Sequence, residues 1–303
     1  MATSGSNKVI VVALIANLGI AAAKFVGAYF TKSASLLAES IHSVADCTNQ
    51  VFLLIGAKQA KKPADEKHPL GYGRESFFWS FMVALLLFLL GGVFAIYEGL
   101  HKLTQPSSEL TKPGVALGIL IVAIALEGTS FWACLKEVIK VNHYPSLWVW
   151  FCKSTSSELM VIFMEDLAAL LGLTIATVFL VIAIATNNPI WDAMGSIVIG
   201  MLLVVVAFLL AREVKSLLLG EKSSTDYKEF INRHLLEINT DMRLLKIISI
   251  VTGSNEVLLT MKVHPGTVKQ SAELIEHINQ MEVVIKKQFP EIRWLFVEPD
   301  FIE

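Results

Sequence analysis

Residues 157–185 read SELMVIFMEDLAALLGLTIATVFLVIAIA, an apolar run interrupted by Glu158 and by the adjacent pair Glu165 and Asp166. About 20 mostly apolar residues are enough for a helix to cross the hydrocarbon core of a bilayer. Ionisable groups are costly at that depth, and they usually face a bundle interior or a water-filled cavity. The run therefore predicts a membrane-spanning helix that carries functional carboxylates.

The composition of the whole chain agrees with a membrane protein. Of its 303 residues, 54% are hydrophobic and only 17% are charged, whereas a soluble domain typically carries about 25% charged residues. The net charge of −2 argues against a nucleic-acid-binding protein. The three cysteines, Cys47, Cys134 and Cys152, form no CxxC pair, which excludes a disulfide scaffold and a cysteine-built zinc finger.

Six apolar stretches predict six transmembrane helices. They cover approximately residues 8–30, 34–57, 76–100, 113–134, 157–185 and 190–211. Lysine and arginine are concentrated in alternate connections, where cytosolic loops carry them. These basic residues are Lys58, Lys61, Lys62, Lys67, Arg74, Lys136, Lys140, Lys153, Arg212, Lys215 and Lys222. Both chain termini are therefore expected on the cytosolic side.

A second, soluble domain is predicted after residue 221. Charged residues make up 30 of the first 221 positions and 22 of the last 82. From residue 222 to 303 the pattern favours a helix to about Ile238, strands at Leu245–Thr252 and Glu256–His264, a helix at Gln270–Gln288 and a strand at Ile292–Val297. The order α-β-β-α-β is typical of a small sheet covered by helices on one face.

The second predicted span carries four polar residues on one helical face. Glu39, His42, Asp46 and Asn49 follow each other at spacings of three, four and three residues. His42 and Asp46, one turn apart, can both reach one divalent ion. An imidazole with a carboxylate suits zinc, iron, cobalt or manganese. The alternative is a set of polar groups that satisfy one another inside a bundle.

The adjacent carboxylates of Glu165 and Asp166 need a compensating charge. Two such groups cannot both ionise cheaply in a low dielectric, so a cation or a proton should accompany them. This favours a transport pathway, and the alternative is a salt bridge to Lys24 or to another basic residue inside the membrane. Asp192, at the start of the sixth span, is interpreted as the N-cap of its own helix.

Three motifs together resemble the cation diffusion facilitator family. They are Ser35-Leu36-Leu37-Ala38-Glu39-Ser40-Ile41-His42-Ser43-Val44-Ala45-Asp46, His68-Pro69-Leu70-Gly71-Tyr72-Gly73-Arg74 and Phe296-Val297-Glu298-Pro299-Asp300. The resemblance implies a homodimeric six-span divalent-metal/proton antiporter with a ferredoxin-like cytosolic domain. Phe163-Met164-Glu165-Asp166 is similar to the divergent branch that includes the zinc transporter nine proteins.

The resemblance also implies a transport site. His42 and Asp46 match the ligands that the family takes from its second span, and Asp166 matches the aspartate of its fifth span. Ile162 stands where that span usually has a histidine, four residues before the aspartate. Glu165 lies about 60° around the helix from Ile162, so it is the candidate fourth ligand. Asn49 or water is the alternative, and Glu39 is a candidate pathway residue.

The sequence therefore predicts a proton-coupled divalent-cation exporter with zinc as the leading substrate. Its expected partners are the metal ion, protons, the lipid bilayer and a second copy of the chain, with no catalytic residue and no cofactor. Manganese, iron or cobalt are the alternative substrates. A non-transporting metal sensor and an intramembrane metallo-enzyme are the alternative classes. Metal binding by the C-terminal domain has only His264, Glu298 and Asp300 as candidate ligands.

The first seven residues, Met1–Asn7, form a short stretch without charged residues. They do not resemble a secretory or transit peptide. A bacterial inner membrane is the expected location.

Overall fold

A computed structural model of the chain describes residues 4–104, 113–142, 144–238, 241–268 and 270–302. Long helices occupy every predicted apolar stretch. They are α1 (Ser4–Thr31), α2 (Ala34–Ala60), α3 (Glu75–Leu86) continued by a π-helical segment (Leu87–Val93) and α4 (Phe94–Thr104), α5 (Pro113–Val141), α7 (Ser157–Thr186) and α8 (Ile190–Leu219). A short helix, α6 (Leu147–Lys153), precedes α7. Residues 1–3 of the Met1–Asn7 stretch lie outside the described residues.

Four helical segments in the described part of the chain are long and apolar enough to cross a membrane. They are Glu75–Thr104, Pro113–Val141, Ser157–Thr186 and Ile190–Leu219. The chain is thus a multi-pass membrane protein. The sequence predicts six spans, and α1 and α2 are not among these four. In α2 the residues Glu39, His42 and Asp46 occupy two helical turns, which lowers the apolar content of that helix.

Glycines let α8 approach α4 and the π-helical segment closely. A Cβ placed on Gly200 would lie 2.7 Å from the carbonyl oxygen of Gly92, and one on Gly99 would lie 2.7 Å from the carbonyl oxygen of Ala193. Small residues at such contacts allow backbones to pack where lipid gives no hydrophobic driving force between helices. Helix α8 is therefore held tightly against the third long helical segment.

The π-helical segment Leu87–Val93 lies beside α2. A Cβ placed on Gly91, within this segment, would lie 3.7 Å from Nδ1 of His42. Short π-helical stretches inside α-helices are uncommon and are frequently found at functional sites. This one brings a glycine backbone, rather than a side chain, against the buried imidazole.

Asp192 fixes the start of α2 rather than the start of its own helix. Its carboxylate accepts hydrogen bonds from Ser33 Oγ at 2.7 Å and from the backbone N–H of Ala34 at 2.6 Å. Ser35 Oγ donates to the Asp192 carbonyl oxygen at 2.8 Å. The N-cap interpretation of Asp192 is wrong, because α8 begins two residues earlier, at Ile190, and the side chain turns to the neighbouring helix.

The C-terminal region forms a small sheet with two helices. Its elements are α9 (Lys228–Ile238), β1 (Arg243–Gly253), β2 (Glu256–His264), α10 (Ser271–Gln288) and β3 (Ile292–Pro299). Strand β2 is central, antiparallel to β1 and parallel to β3. An apolar cluster distinct from that of the long helices fills the space between sheet and helices, and it includes Ile231, Leu259 and Ile285.

The turn between β1 and β2 rests on the ends of the long helices. Ser254 Oγ donates to the Glu158 carboxylate at 2.6 Å, and the Val251 N–H donates to the Glu221 carbonyl oxygen at 2.9 Å. A Cβ on Gly73 would lie 2.6 Å from the carbonyl oxygen of Thr252, so only glycine fits there. The C-terminal sheet is thereby fixed to the end of the bundle where α7 begins.

We expect Asp192→Ala to destabilise the protein by about 2–4 kcal/mol, because it leaves the buried donors of Ser33 and Ala34 without an acceptor. Denaturant unfolding in detergent micelles measures this change. The control is Glu137→Ala, which removes a carboxylate that is 59% exposed and paired with Lys140, and its effect should stay within about 0.5 kcal/mol. Equal stability of the two variants would contradict the proposed role of Asp192.

Candidate transport site

A cavity of about 400 Å³ opens between α1, α2, α5 and α7. Its wall contains five carboxylates, and within the described part of the chain it contains no lysine, arginine or histidine. The lining residues are Asn17, Ile20, Ser43, Asp46, Gln50, Leu53, Leu54, Ala57, Glu127, Ser130, Glu158, Ile162, Glu165, Asp166 and Ala169. An acidic cavity inside an apolar bundle attracts cations, since it offers them charge in a medium of low dielectric constant.

Three of the four predicted metal ligands line this cavity. Asp46 comes from α2, whereas Glu165 and Asp166 come from α7. Successive residues of a helix point about 100° apart, yet both α7 carboxylates reach the cavity. Among the described residues, no three His, Cys, Asp or Glu side chains are close enough to hold one metal ion together. The three carboxylates thus share a cavity without forming a closed coordination shell.

His42, the fourth predicted ligand, lies behind the cavity wall. Its side chain is 1% exposed, and neither ring nitrogen has a hydrogen-bond partner. Nδ1 is 3.7 Å from Oδ1 of Asp46. A buried imidazole without a partner is costly. The His42 ring lies near the cavity through Asp46, whose carboxylate lines the cavity one helical turn further along α2.

Each of the two α7 carboxylates accepts a hydrogen bond, one from an amide group and the other from a hydroxyl group. Asn49 Nδ2 donates to Oε1 of Glu165, and Ser130 Oγ donates to Oδ2 of Asp166 at 3.2 Å. The sequence indicates Asn49 through its place on the polar face of α2. Ser130 carries no such signal, because it lies on α5 in an apolar stretch and only the packing of α5 on α7 brings it to Asp166.

Ile162 lines the cavity one turn before Asp166 and is 38% exposed. The position that the resemblance assigns to a histidine therefore faces the cavity with an apolar side chain. Glu165, three residues further on, places a carboxylate on the same wall.

Lys24 pairs with Glu39 and Glu127, not with Glu165 or Asp166. Its Nζ lies 3.7 Å from Oε2 of Glu39 and 3.9 Å from Oε1 of Glu127. The alternative that Lys24 neutralises the α7 pair is therefore wrong. Glu39 does not line the cavity, and its ion pair with Lys24 connects it to Glu127 in the cavity wall.

The candidate ligands of the C-terminal domain are engaged by a lysine. Lys262 Nζ lies 2.6 Å from Oδ2 of Asp300 and 3.5 Å from Oε1 of Glu298. The hydrogen bond from Lys262 and those from the backbone N–H groups of Ile302 and Phe301 hold the pKa of Asp300 below its usual range. His264 Nδ1 accepts from the Gly266 N–H at 3.0 Å. These groups are already paired within the domain.

Comparison with known proteins identifies the long-helix region. Residues 10–219 match the model of the cation efflux transmembrane domain. The chain is 33% identical to Metal tolerance protein C4 of Arabidopsis thaliana over 222 residues, which cover 71% of this chain and 47% of that protein. It is 28% identical to the mitochondrial proton-coupled zinc antiporter SLC30A9 of Xenopus laevis over 247 residues, 81% of this chain and 44% of that protein.

A third relative matches over a shorter stretch of the chain. The chain is 30% identical to Magnetosome protein MamB of Magnetospira sp. over 168 residues, which cover 54% of this chain and 56% of that protein. The chain thus spans about half the length of the curated relatives that it matches.

We expect Lys262→Met to raise the pKa of Asp300 toward its usual value, because the largest cause of the lowered pKa is the hydrogen bond from Lys262. In the unaltered chain this carboxylate favours the folded state above its ordinary pKa, and the contribution is lost as the pH falls through the lowered value. Carboxyl ¹³C NMR titration of the full chain in micelles measures the change. Lys286→Met, which affects a lysine paired with Glu282, should leave the Asp300 titration where it is. An unshifted Asp300 in Lys262→Met would contradict the assignment.

Proposed function

The chain belongs to the cation diffusion facilitator family, in the branch similar to the SLC30A9 antiporters, and we propose that it exports divalent cations in exchange for protons. Zinc is the proposed leading substrate. The observation that carries the proposal is the convergence of Asp46, Glu165 and Asp166, from two helices, on one acidic cavity. The names of two relatives, a proton-coupled zinc antiporter and a metal tolerance protein, support the same substrate class.

Proton coupling follows from the chemistry of the ligands. Carboxylates bind a metal ion only when deprotonated, and an imidazole only when neutral, so protons and metal compete for the same atoms. Protons that arrive from the far side of the membrane displace the ion, and loss of those protons prepares the site for the next ion. A neutral imidazole binds metal and a protonated one does not, so we propose that His42 takes part in the same competition between protons and metal.

Binding requires the ligands to close around the ion. Each ligand atom of a zinc site lies about 2.0–2.2 Å from the ion, and no three His, Cys, Asp or Glu side chains of the described residues are close enough to share one ion. We propose that the metal draws Asp46, Glu165 and Asp166 together, and that His42 joins them. Asn49 and Ser130 orient the α7 carboxylates for this step.

The cavity supports an inward-facing state. Its lining runs from Asp46 along α2 to Ala57 and along α7 to Glu158, toward the end of the bundle where the C-terminal sheet rests. We propose that this end is cytosolic and that rocking of the helices around the site opens the opposite end.

The proposed architecture has six membrane spans, with α1 and α2 added to the four most apolar segments. It has both termini in the cytosol and a ferredoxin-like domain at residues 222–303. The proposed assembly is a homodimer. The bacterial inner membrane stays a prediction, since the relatives include a mitochondrial protein.

We expect purified protein in proteoliposomes to move zinc when a pH gradient is imposed. Asp46→Ala and Asp166→Ala should each abolish that movement, because each removes a ligand from the cavity. Glu165→Ala should reduce it strongly if Glu165 is the fourth ligand. A zinc-sensitive dye inside the vesicles reports uptake, and Glu137→Ala, an exposed carboxylate away from the cavity, is the control.

Three other outcomes of this assay discriminate among the hypotheses. Movement of manganese, iron or cobalt without zinc would keep the exporter and change its substrate. Zinc binding without movement of any metal would favour the sensor, in which the Ser254–Glu158 contact reports occupancy to the C-terminal domain. Full activity of Asp46→Ala and Asp166→Ala would overturn the proposed site.

Ile162→His should tighten zinc binding, because it adds an imidazole one turn from Asp166 on the same cavity wall. We expect the apparent KM for zinc to fall about tenfold, equivalent to about 1.4 kcal/mol. Ile162→Val keeps the wall apolar and should leave the KM unchanged. The same vesicle assay gives both values, and an unchanged KM in Ile162→His would place residue 162 away from the bound ion.

A further inference from the structure

Lys24 is buried at the junction of three helices. The side chain lies on α1 and is 1% exposed. Its Nζ donates to Ser43 Oγ on α2 at 2.8 Å and forms ion pairs with Glu39 on α2 and Glu127 on α5. A lysine so deep in an apolar bundle is costly unless it is paired. Both carboxylates therefore have to stay near the ammonium group.

The Glu39 carboxylate depends on Lys24 for its compensation. It is 0% exposed, and neither of its oxygens has a hydrogen-bond partner. Gly172 of α7 leaves the space that it occupies, because a Cβ there would lie 2.5 Å from Oε1 of Glu39. The chain thus makes room for a buried carboxylate and supplies it with one cation, without any hydrogen-bond donor.

The same ammonium group reaches the wall of the acidic cavity. Glu127 and Ser43 line that cavity, whereas Glu39 lies behind it. Lys24 therefore holds one carboxylate of the cavity wall, Glu127, in an ion pair that it shares with Glu39. The acidic lining that remains consists of Asp46, Glu165 and Asp166 at the proposed site, with Glu158 bonded to Ser254.

The position of the ammonium group is one that a metal ion would fill. It lies between two carboxylates at 3.7 and 3.9 Å, and a divalent ion would draw these oxygens to about 2.0–2.2 Å. Glu39 on α2 and Glu127 on α5 thus supply carboxylate oxygens beside the ammonium group, and carboxylate oxygens are ligands of divalent zinc.

We propose that Lys24 is a tethered cation that fills a second divalent-cation site formed by Glu39 and Glu127. This inference rests on the proposed function. Lys24 occupies the site with a single charge that cannot dissociate, and so it confines the transported ion to Asp46, Glu165 and Asp166. Lys24 is a specificity-determining residue that never touches the transported ion.

The experiment counts zinc ions bound to the full-length protein in detergent, by equilibrium dialysis followed by metal analysis. Lys24→Gln keeps a donor for Ser43 and removes the charge, and we expect it to bind one zinc ion more than the unaltered protein. Lys24→Arg keeps the tethered charge and should bind the unaltered number. Lys24→Gln/Glu127→Gln removes a ligand of the new site and should return the count to the unaltered number.

A second measurement tests the proposal in the case that Lys24→Gln folds poorly. If zinc replaces the ammonium group, zinc should raise the melting temperature of Lys24→Gln more than that of the unaltered protein, because a ligand that binds only the folded state stabilises it. Purification in the presence of zinc should then rescue the yield of Lys24→Gln. An unchanged zinc count together with an equal zinc effect on melting in both proteins would overturn the proposal.

The result separates the two proposals. If the unaltered protein moves zinc and Lys24→Gln gains no ion, the transporter stands and the role of Lys24 is wrong. If the unaltered protein moves no metal and Lys24→Gln still gains one ion, the second site stands and the exporter is wrong.

Discussion

Buried carboxylates need compensation in an apolar bundle, and this requirement organises the membrane region. The acidic side chains that reach the interior are not all compensated in the same way. Glu39 and Glu127 share Lys24, and Asp192 accepts bonds from Ser33 and Ala34. An uncompensated charge is costly at this depth. The carboxylates that have no cation inside the bundle are therefore the ones expected to bind a cation from solution.

The helix packing serves the same requirement. Gly172 leaves room for the Glu39 carboxylate, and Gly91 brings a bare backbone against His42. The π-helical segment around Gly91 shifts the register of the third long helical segment where it passes α2. Small residues thus create polar pockets inside a bundle whose other contacts are apolar, and these pockets determine which ionisable groups can approach one another.

Much of this structure could be predicted from the sequence. Hydrophobic runs long enough to cross a bilayer gave the positions of the long helices, and alternation with turn residues gave the strands of the C-terminal sheet. The spacing of Glu39, His42 and Asp46 placed them on one face of α2. A local pattern determines each of these features, because a helix or strand forms over neighbouring residues. The number of spans is harder to predict, because the polar residues of α2 lower the hydropathy by which a membrane span is identified.

Contacts between distant segments could not be predicted in this way. No periodicity links Ser130 to Asp166, Asp192 to Ala34 or Lys24 to Glu127, because these pairs meet only when the helices pack. Sequence reasoning offered Lys24 as a partner for the acidic pair of α7, and charge alone allowed that choice. The packing of α1 against α2 and α5 decides against it, and this changes the meaning of the cavity. Among the described residues, Asp46, Glu165 and Asp166 form no ion pair with a lysine or arginine, and Lys24 is paired with Glu39 and Glu127. In the proposed exchanger a divalent ion and protons take turns in balancing the charge of these three carboxylates.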